Sequence, residues 1–263
     1  MKMLLKPVQW LYCIYALLLF VGIMLVIFPF VIIASLFGRI RGANMVLRIC
    51  MFWGDLWFPL IFIFTKKIYE VPHDKSRSFI FVNNHISYLD ACILVRAYRQ
   101  PVRPLGRAEM SKVPVFGYIY RNAIVTVDRS NPENRAKSVM TLKSVLRKGI
   151  SILVFPEGTF NMEHRPLKSF YDGAFRIAIE TQTPIKPVLF LDAYSRMHYE
   201  SIFSLTPGRC RILYMDEIPV AGLTIDDVAL LRDKVYSIME KKLIEYRAAW
   251  IQPSAKETTA IPQ

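Results

Sequence analysis

The stretch FVNNHISYLDACIL, residues 81–94, combines three signals: the end of a buried strand, two asparagines that stop it, and a second apolar run with helical character. His85 falls in the turn between them, and Ser87 is placed to cap the helix that follows. Asp90 comes five residues after the histidine. On one continuous helix that spacing is about 140° of rotation, so the two side chains would point apart. They meet only if His85 lies outside the helix and Asp90 in its first turns, and Asn83-Asn84 supplies the break. A carboxylate near a helix N-terminus stays ionised and can hold an imidazole and stabilise its cation. The pair therefore reads as a general base with its partner.

The whole chain of 263 residues leaves room for one medium catalytic domain and an appendage. A net charge of +13 admits nucleic acid, an anionic membrane surface or phosphorylated substrates as partners. The four cysteines, Cys13, Cys50, Cys92 and Cys210, are scattered, with no CxxC and no histidine at ligand spacing. That pattern argues against a metal site or a disulfide framework and for a reducing compartment. His73, His164 and His198 also stand apart from one another, with His164 alone close to a later motif.

The apolar excess is concentrated in the first seventy residues. Trp10 to Phe37 carries no charge and is longer than the ~20 residues a helix needs to cross ~30 Å of hydrocarbon. Lys2 and Lys6 precede it as in a signal peptide, but the run is too long and no small-residue cleavage site follows. A second apolar stretch, Met45 to Phe64, contains Arg48 and Asp55 and reads as an interfacial or re-entrant helix paired with the first. Residues 1–67 are thus expected to be a two-helix membrane anchor. Basic residues flank every end, so charge alone does not orient it; the catalytic part is placed on the cytoplasmic face of the cell membrane.

From Ile68 onward short apolar runs alternate with helical ones. The expected strands are Ser78–Val82, Val102–Leu105, Ile124–Val127, Ser151–Phe155, Ile185–Phe190 and Arg211–Tyr214. The expected helices are Tyr88–Arg96, Pro132–Lys148, Gly173–Thr181 and Ile225–Ala249. This alternation predicts an α/β domain over 68–250, with a mostly parallel central sheet flanked by helices. The tail, 251–263, is small and polar and reads as disordered.

Three further blocks follow in order: AIVTVDR (123–129), LVFPEGT (153–159) and TPIKPV (183–188). Arg129 follows a strand end, where a parallel sheet presents its binding groups, and suits bidentate recognition of phosphate. Glu157 opens a turn after an apolar strand, where a carboxylate can accept a ligand hydroxyl or orient Arg129. Gly158 lets the backbone approach a ligand, and Thr159 adds a hydroxyl. The segment from Arg96 to Lys148 holds twelve lysines and arginines against three acidic residues. Beside an anchor this reads as a surface for anionic lipid headgroups or other anionic partners. The aromatics among these charges (Tyr98, Phe116, Tyr118, Tyr120) read as core or interface contacts rather than base stacking, so nucleic acid is not expected.

Together the blocks resemble the glycerolipid acyltransferase family of the lysophosphatidic acid type. NHISYLD matches its NHxSxxD block, FPEGT its third block, and PIKPV its fourth. The resemblance covers roughly residues 78 to 190. It implies that His85 and Asp90 are catalytic and that Arg129, Glu157, Gly158 and Thr159 hold the acceptor. Three departures stand out. Ala123 and Thr126 replace the usual glycine and aromatic of the second block. Phe160 takes the usual arginine place, and Tyr171-Asp172 the place of a lysine before Gly173. Lys168, Arg165 or Arg176 would then supply the missing charge.

The expected reaction passes an acyl chain from acyl-CoA or acyl carrier protein to the hydroxyl of a lysophospholipid, most directly lysophosphatidic acid, at a membrane surface. The hydroxyl must lose its proton as it attacks, which a neutral histidine can accept. The oxyanion needs donors, for which backbone N–H groups at the start of the helix after His85 are the natural candidates, with Ser87 as an auxiliary. No metal or bound cofactor is implied. Two rivals remain: an acyltransferase for another lysolipid, such as a lyso-ornithine, motivated by Phe160, and a non-catalytic protein that binds anionic lipid.

Overall fold

The computed structural model describes residues 2–127 and 132–251. The chain begins with α1 (Lys2–Ser35), a π-helical turn (Gly38–Gly42) and α2 (Ala43–Leu60), then β1 (Ile63–Tyr69) and β2 (Ile80–Asn83). Next come α3 (Asp90–Ala97), β3 (Val102–Arg107), α4 (Phe116–Ala123), β4 (Val125–Val127), α5 (Pro132–Arg147) and β5 (Ser151–Val154). The remainder is α6 (Gly173–Thr181), β6 (Ile185–Phe190), α7 (Ala193–Arg196), β7 (Gly208–Tyr214) and α8 (Val228–Glu245).

The strands form one sheet in the order β1-β7-β6-β2-β5-β3-β4. Every pairing is parallel except β6 with β7. The three runs IFVN, SILV and IKPVLF are buried at every position, as strands covered on both faces by helices must be. They sit side by side as β5, β2 and β6. Helices α5, α6 and α8 pack together on the sheet, and α1 to α4 form a second group linked through α2. The fold is thus a mostly parallel α/β sheet flanked by helices.

Three of these elements have no counterpart among the expected ones: β1, α4 and the four-residue α7. β1 was counted with the anchor because Ile61 to Phe64 prolongs an apolar stretch and Lys66-Lys67 looks like its basic flank. Its residues instead pair with β7 from Ile63↔Gly208 to Tyr69↔Tyr214, so the boundary after residue 67 falls inside a strand. β1 is an edge strand with one buried residue and a broken alternation, and its lysines are the kind that discourage further edge pairing. α4 is one short helix with Gly117 inside it, too brief to show a period. The last helix also ends earlier than Ala249. Arg247 adopts φ 50°, and the chain turns so that the buried Trp250 indole donates to Arg165 O at 3.0 Å. The proposed disorder of the tail concerns residues that, from 252 on, lie outside the described ones.

α2 is docked on the catalytic part rather than standing free. Asp55, the charge that made it a poor span, is bonded by Arg96 and by Arg99 of the α3 end, with one Arg99 contact at 3.0 Å. One residue away, Gly54 faces α3 so closely that a Cβ there would lie 2.6 Å from Val95 Cγ2. Valine is stiff at χ1 and cannot swing aside. Gly54→Leu is therefore expected to cost about 1–3 kcal/mol through overpacking, read as a lower thermal midpoint of the detergent-solubilised protein. An unchanged midpoint would show that the α2–α3 contact contributes nothing.

Candidate active site

β2, β5 and β6 run parallel and end on the same side of the sheet, where open α/β sheets bind ligands. At the end of β2 the backbone leaves the sheet because side chains replace it. The Asn84 carboxamide accepts from Phe190 N at 2.8 Å and donates to Phe190 O at 3.2 Å. It thereby continues the ladder to β6 while its own main chain turns away. Asn83 accepts from the buried Tyr98 hydroxyl at 2.7 Å. The two asparagines thus do what their position suggested: they stop the strand and release His85 from it.

Asp90 is the first residue of α3 and is fully buried. Its Oδ2 accepts from His85 Nδ1 at 2.9 Å, Ile86 N at 2.7 Å and Ser87 N at 2.9 Å. A carboxylate can only accept, so the ring carries its proton on Nδ1 and leaves Nε2 as the basic nitrogen. The His85 side chain is 22% exposed, enough for a substrate hydroxyl to reach it. Phe155 stacks on the imidazole (centroids 4.2 Å apart, planes 23°) and Phe160 meets it edge-on (4.4 Å, 62°). Tyr88 packs against Phe160 at 4.9 Å. Phe160, in the place where the resemblance expects arginine, is thus a wall of the histidine. Of this seat the sequence marks only Phe155, as the end of an apolar strand, and nothing marks Tyr88.

Ser87 does other work than expected. Its hydroxyl donates to Met197 O and accepts from Leu89 N at 2.9 Å, while the residue flanking α3 is Leu89, with no side-chain cap. The serine ties the turn to the segment after α7 and does not face a substrate. The N–H groups of Ile86 and Ser87 point into Asp90, and those of Leu89 and Asp90 bond within the turn. The start of α3 therefore offers those four donors to its own turn and not to an oxyanion.

Glu157 also departs from its expected role. It is buried, with Oε1 accepting from His85 N at 2.8 Å and Oε2 from Lys168 N at 2.9 Å. Asn161 N in turn donates to His85 O at 2.9 Å. The loop after β5 thus grips both peptide groups of the histidine, and the glutamate is a brace rather than an acceptor ligand. The turn that presents it is closed by Gly158 N donating to Phe155 O at 3.0 Å, with Pro156 second and Gly158 at φ 73°, where a side chain would be strained. Burial pushes the Glu157 carboxyl up to about 8, against the pull of its two N–H donors.

The remaining candidates separate. Thr159 Oγ1 accepts from Lys168 Nζ at 3.0 Å, which brings that ammonium to the third block. Arg165 lies on the same segment, exposed and 3.8 Å from Glu163. Arg176 is exposed on α6, and no hydrogen bond or ion pair of its side chain reaches these residues among the described ones. Arg129 lies outside the described residues; β4, which leads toward it, ends at Val127 on the edge of the sheet opposite β1.

The raised Glu157 value has a consequence for stability. Between the ordinary 4.5 and about 8 the folded protein holds a proton that the unfolded chain releases, so stability falls as pH rises through that window. Glu157→Gln removes this titration, and its thermal midpoint is expected to decline less than that of wild type over the same range. Parallel pH curves for the two proteins would refute the assignment.

Comparison with known proteins agrees with this geometry. A family model described as Acyltransferase matches residues 64–191. The acl-2 protein of Caenorhabditis elegans, assigned provisionally as a 1-acyl-sn-glycerol-3-phosphate acyltransferase, is 31% identical over 83% of this chain and 76% of its own length. The 1-acyl-sn-glycerol-3-phosphate acyltransferase of Haemophilus influenzae is 29% identical over 80% of this chain and 86% of its own. The crystal structure of the 1-acyl-sn-glycerophosphate acyltransferase PlsC from Thermotoga maritima superposes with a TM-score of 0.71 at 22% identity, covering 96% of this chain and all (100%) of that one. That last likeness concerns the fold. With a histidine–aspartate pair seated at the strand ends of this sheet, the chain belongs to the glycerolipid acyltransferase family, of the 1-acylglycerol-3-phosphate O-acyltransferase type.

Proposed function

We propose that this enzyme transfers an acyl chain from a thioester, acyl-CoA or acyl carrier protein, to the free hydroxyl of lysophosphatidic acid, giving phosphatidic acid for phospholipid synthesis. The observation that carries the reading is an imidazole whose Nδ1–H is fixed on a buried carboxylate while its ring stays 22% exposed. Nε2 accepts the hydroxyl proton as the oxygen attacks the thioester carbon. The C–S bond then breaks, and the imidazolium returns the proton to the departing thiolate. Asp90 stabilises the cation between those events. The chemistry calls for no metal and no bound cofactor. Thr159, whose oxygen is held by Lys168, keeps its own hydroxyl hydrogen for a substrate oxygen.

The test is transfer of labelled acyl groups from acyl-CoA and acyl carrier protein to a panel of lysolipids. His85→Ala and Asp90→Asn are expected to lower kcat roughly 10²–10⁴-fold. Retained activity in His85→Ala would reject the mechanism. Phe160 against the histidine supports a second acceptor reading, since an aromatic there recognises no phosphate. Preference for a lyso-ornithine or another phosphate-free acceptor in the same panel would favour it.

We further propose that α1 anchors the enzyme in one leaflet of the cell membrane, with the catalytic domain on the cytoplasmic face. Within Lys6–Ser35 the most apolar 18 residues have a mean hydropathy of 3.1 and are mostly uncovered. Leu11, Ile14, Leu18, Leu25 and Leu36 lie exposed along one side, while Cys13, Ala16, Ile27, Val31 and Ala34 face the protein. Both ends touch the catalytic part: Trp10 meets Phe203 at 5.9 Å and Ser35 Oγ lies 2.7 Å from the Tyr118 hydroxyl. From Trp10 to Ser35 the helix extends about 38 Å, so a helix fastened at both ends lies along the domain instead of projecting from it. A membrane-impermeant thiol reagent added on the catalytic side of vesicles should then label Lys6→Cys and Arg39→Cys, the exposed charged positions flanking the apolar run, alike. Labelling of one of them from the opposite side only would mean that the helix crosses.

A further inference from the structure

Segment 163–170 and the facing side of α8 form an open cleft of about 630 Å³, whose walls carry Arg165, Lys168, Arg232 and Tyr236 together with the carboxylates of Glu163 and Asp233. That volume is within the range of small-molecule sites. The cleft is preformed. Asn161 Nδ2 and the Trp250 indole both donate to Arg165 O, at 2.8 and 3.0 Å, and the Tyr236 hydroxyl donates to Leu167 O at 3.2 Å.

Lys168 connects this cleft to the histidine. Its N–H is on Glu157 Oε2, whose other oxygen holds His85 N. Its ammonium is on the Thr159 hydroxyl, and the next residue, Phe160, touches the imidazole. The charges around it are unequal. Arg232 is neutralised by Asp172 and Asp233, each at 2.8 Å. Arg165 is only loosely approached by Glu163, and no carboxylate pairs with Lys168 among the described residues. An ammonium bonded to one hydroxyl keeps two N–H donors and its whole charge for an anion.

We propose that the cleft is an anion subsite of the acyl transfer, in which Lys168, with Arg165 beside it, binds a phosphate of one of the two substrates. The phosphate belongs either to the lysolipid or to the nucleotide part of acyl-CoA. The proposal rests on the acyl-transfer reading, and the measurements below separate the two.

Full-length wild type, Lys168→Gln, Arg165→Gln and Lys168→Arg are compared, with Lys241→Gln on the exposed side of α8 as a charge-matched control. Lys168→Gln is expected to raise the KM of the phosphate-bearing substrate about ten-fold, as for loss of a charge-assisted hydrogen bond, with kcat changed far less. Arg165→Gln gives a smaller rise, Lys168→Arg recovers most of the loss, and Lys241→Gln matches wild type. A rise confined to the lysolipid assigns the acceptor phosphate; one confined to acyl-CoA assigns the donor; unchanged KM for both overturns the subsite. Wild type that ignores phosphate-bearing lysolipids would reject the proposed acceptor and leave the subsite to the acyl-CoA measurement. Calorimetry with inorganic pyrophosphate supplies a readout without turnover. Binding by wild type that weakens about ten-fold in Lys168→Gln supports the subsite, and equal or absent binding in both rejects it.

Discussion

The carboxylate oxygen Asp90 Oδ2 gathers three N–H donors inside a protein interior that gives it no water, and the arrangement around His85 depends on that junction. A buried charge is costly unless it is fully hydrogen-bonded. Here Oδ2 takes all three donors from the turn that positions the histidine, while Oδ1, equally buried, has no hydrogen-bond partner among the described residues. The two backbone bonds fold the turn over the start of α3, and the ring bond fixes the tautomer. Five residues of separation, which on a helix would part the side chains, become the spacing that closes this loop. The positive end of α3 adds its dipole to the same oxygen.

The turn is held from outside as well, by neighbours far away in sequence. Because β2 and β5 pair in parallel from Ile80↔Ile152 to Val82↔Val154, their C-terminal loops emerge next to each other. Glu157 and Asn161 then grip the N–H and C=O of His85, and Phe155 and Phe160 enclose its ring. The FPEGT block therefore acts on the histidine's position more directly than on a substrate. Within it, Thr159 is the residue whose side chain turns toward Lys168 and the open cleft.

What the sequence disclosed follows from how local each signal is. Buried central strands announce themselves as unbroken apolar runs, and Ile185–Phe190 and Gly173–Thr181 have the boundaries expected for them. The histidine–aspartate pair was legible because a strand break and a helix start bracket it within ten residues. The edge strand β1 was not, since its burial alternates irregularly and its lysines imitate a membrane flank. Side-chain roles fared worse than positions. Whether Ser87 caps a helix or bonds Met197 O, and whether Glu157 meets a substrate or a peptide N–H, depends on contacts 110 and 72 residues apart in the chain. No local pattern encodes such a choice.

The link between lipid surface and chemistry runs through one short path. α1 lies on α2 through Trp57 donating to Ala16 O at 2.9 Å and Tyr12 donating to Ile61 O at 2.6 Å. α2 is fastened to α3 by Asp55 with Arg96 and Arg99, and by the close approach of Gly54 to Val95. α3 begins at Asp90. The helix proposed to rest in the leaflet and the carboxylate that orients the base are thus two packing contacts apart. With α1, α2 and α3 packed on one another in this way, no long linker separates α1 from the site among the described residues. On the proposed seating of α1 in a leaflet, the depth of that helix would set the height of Nε2 above the acyl chains. A lipid acceptor held in that leaflet would then meet the base at a distance decided by helix packing.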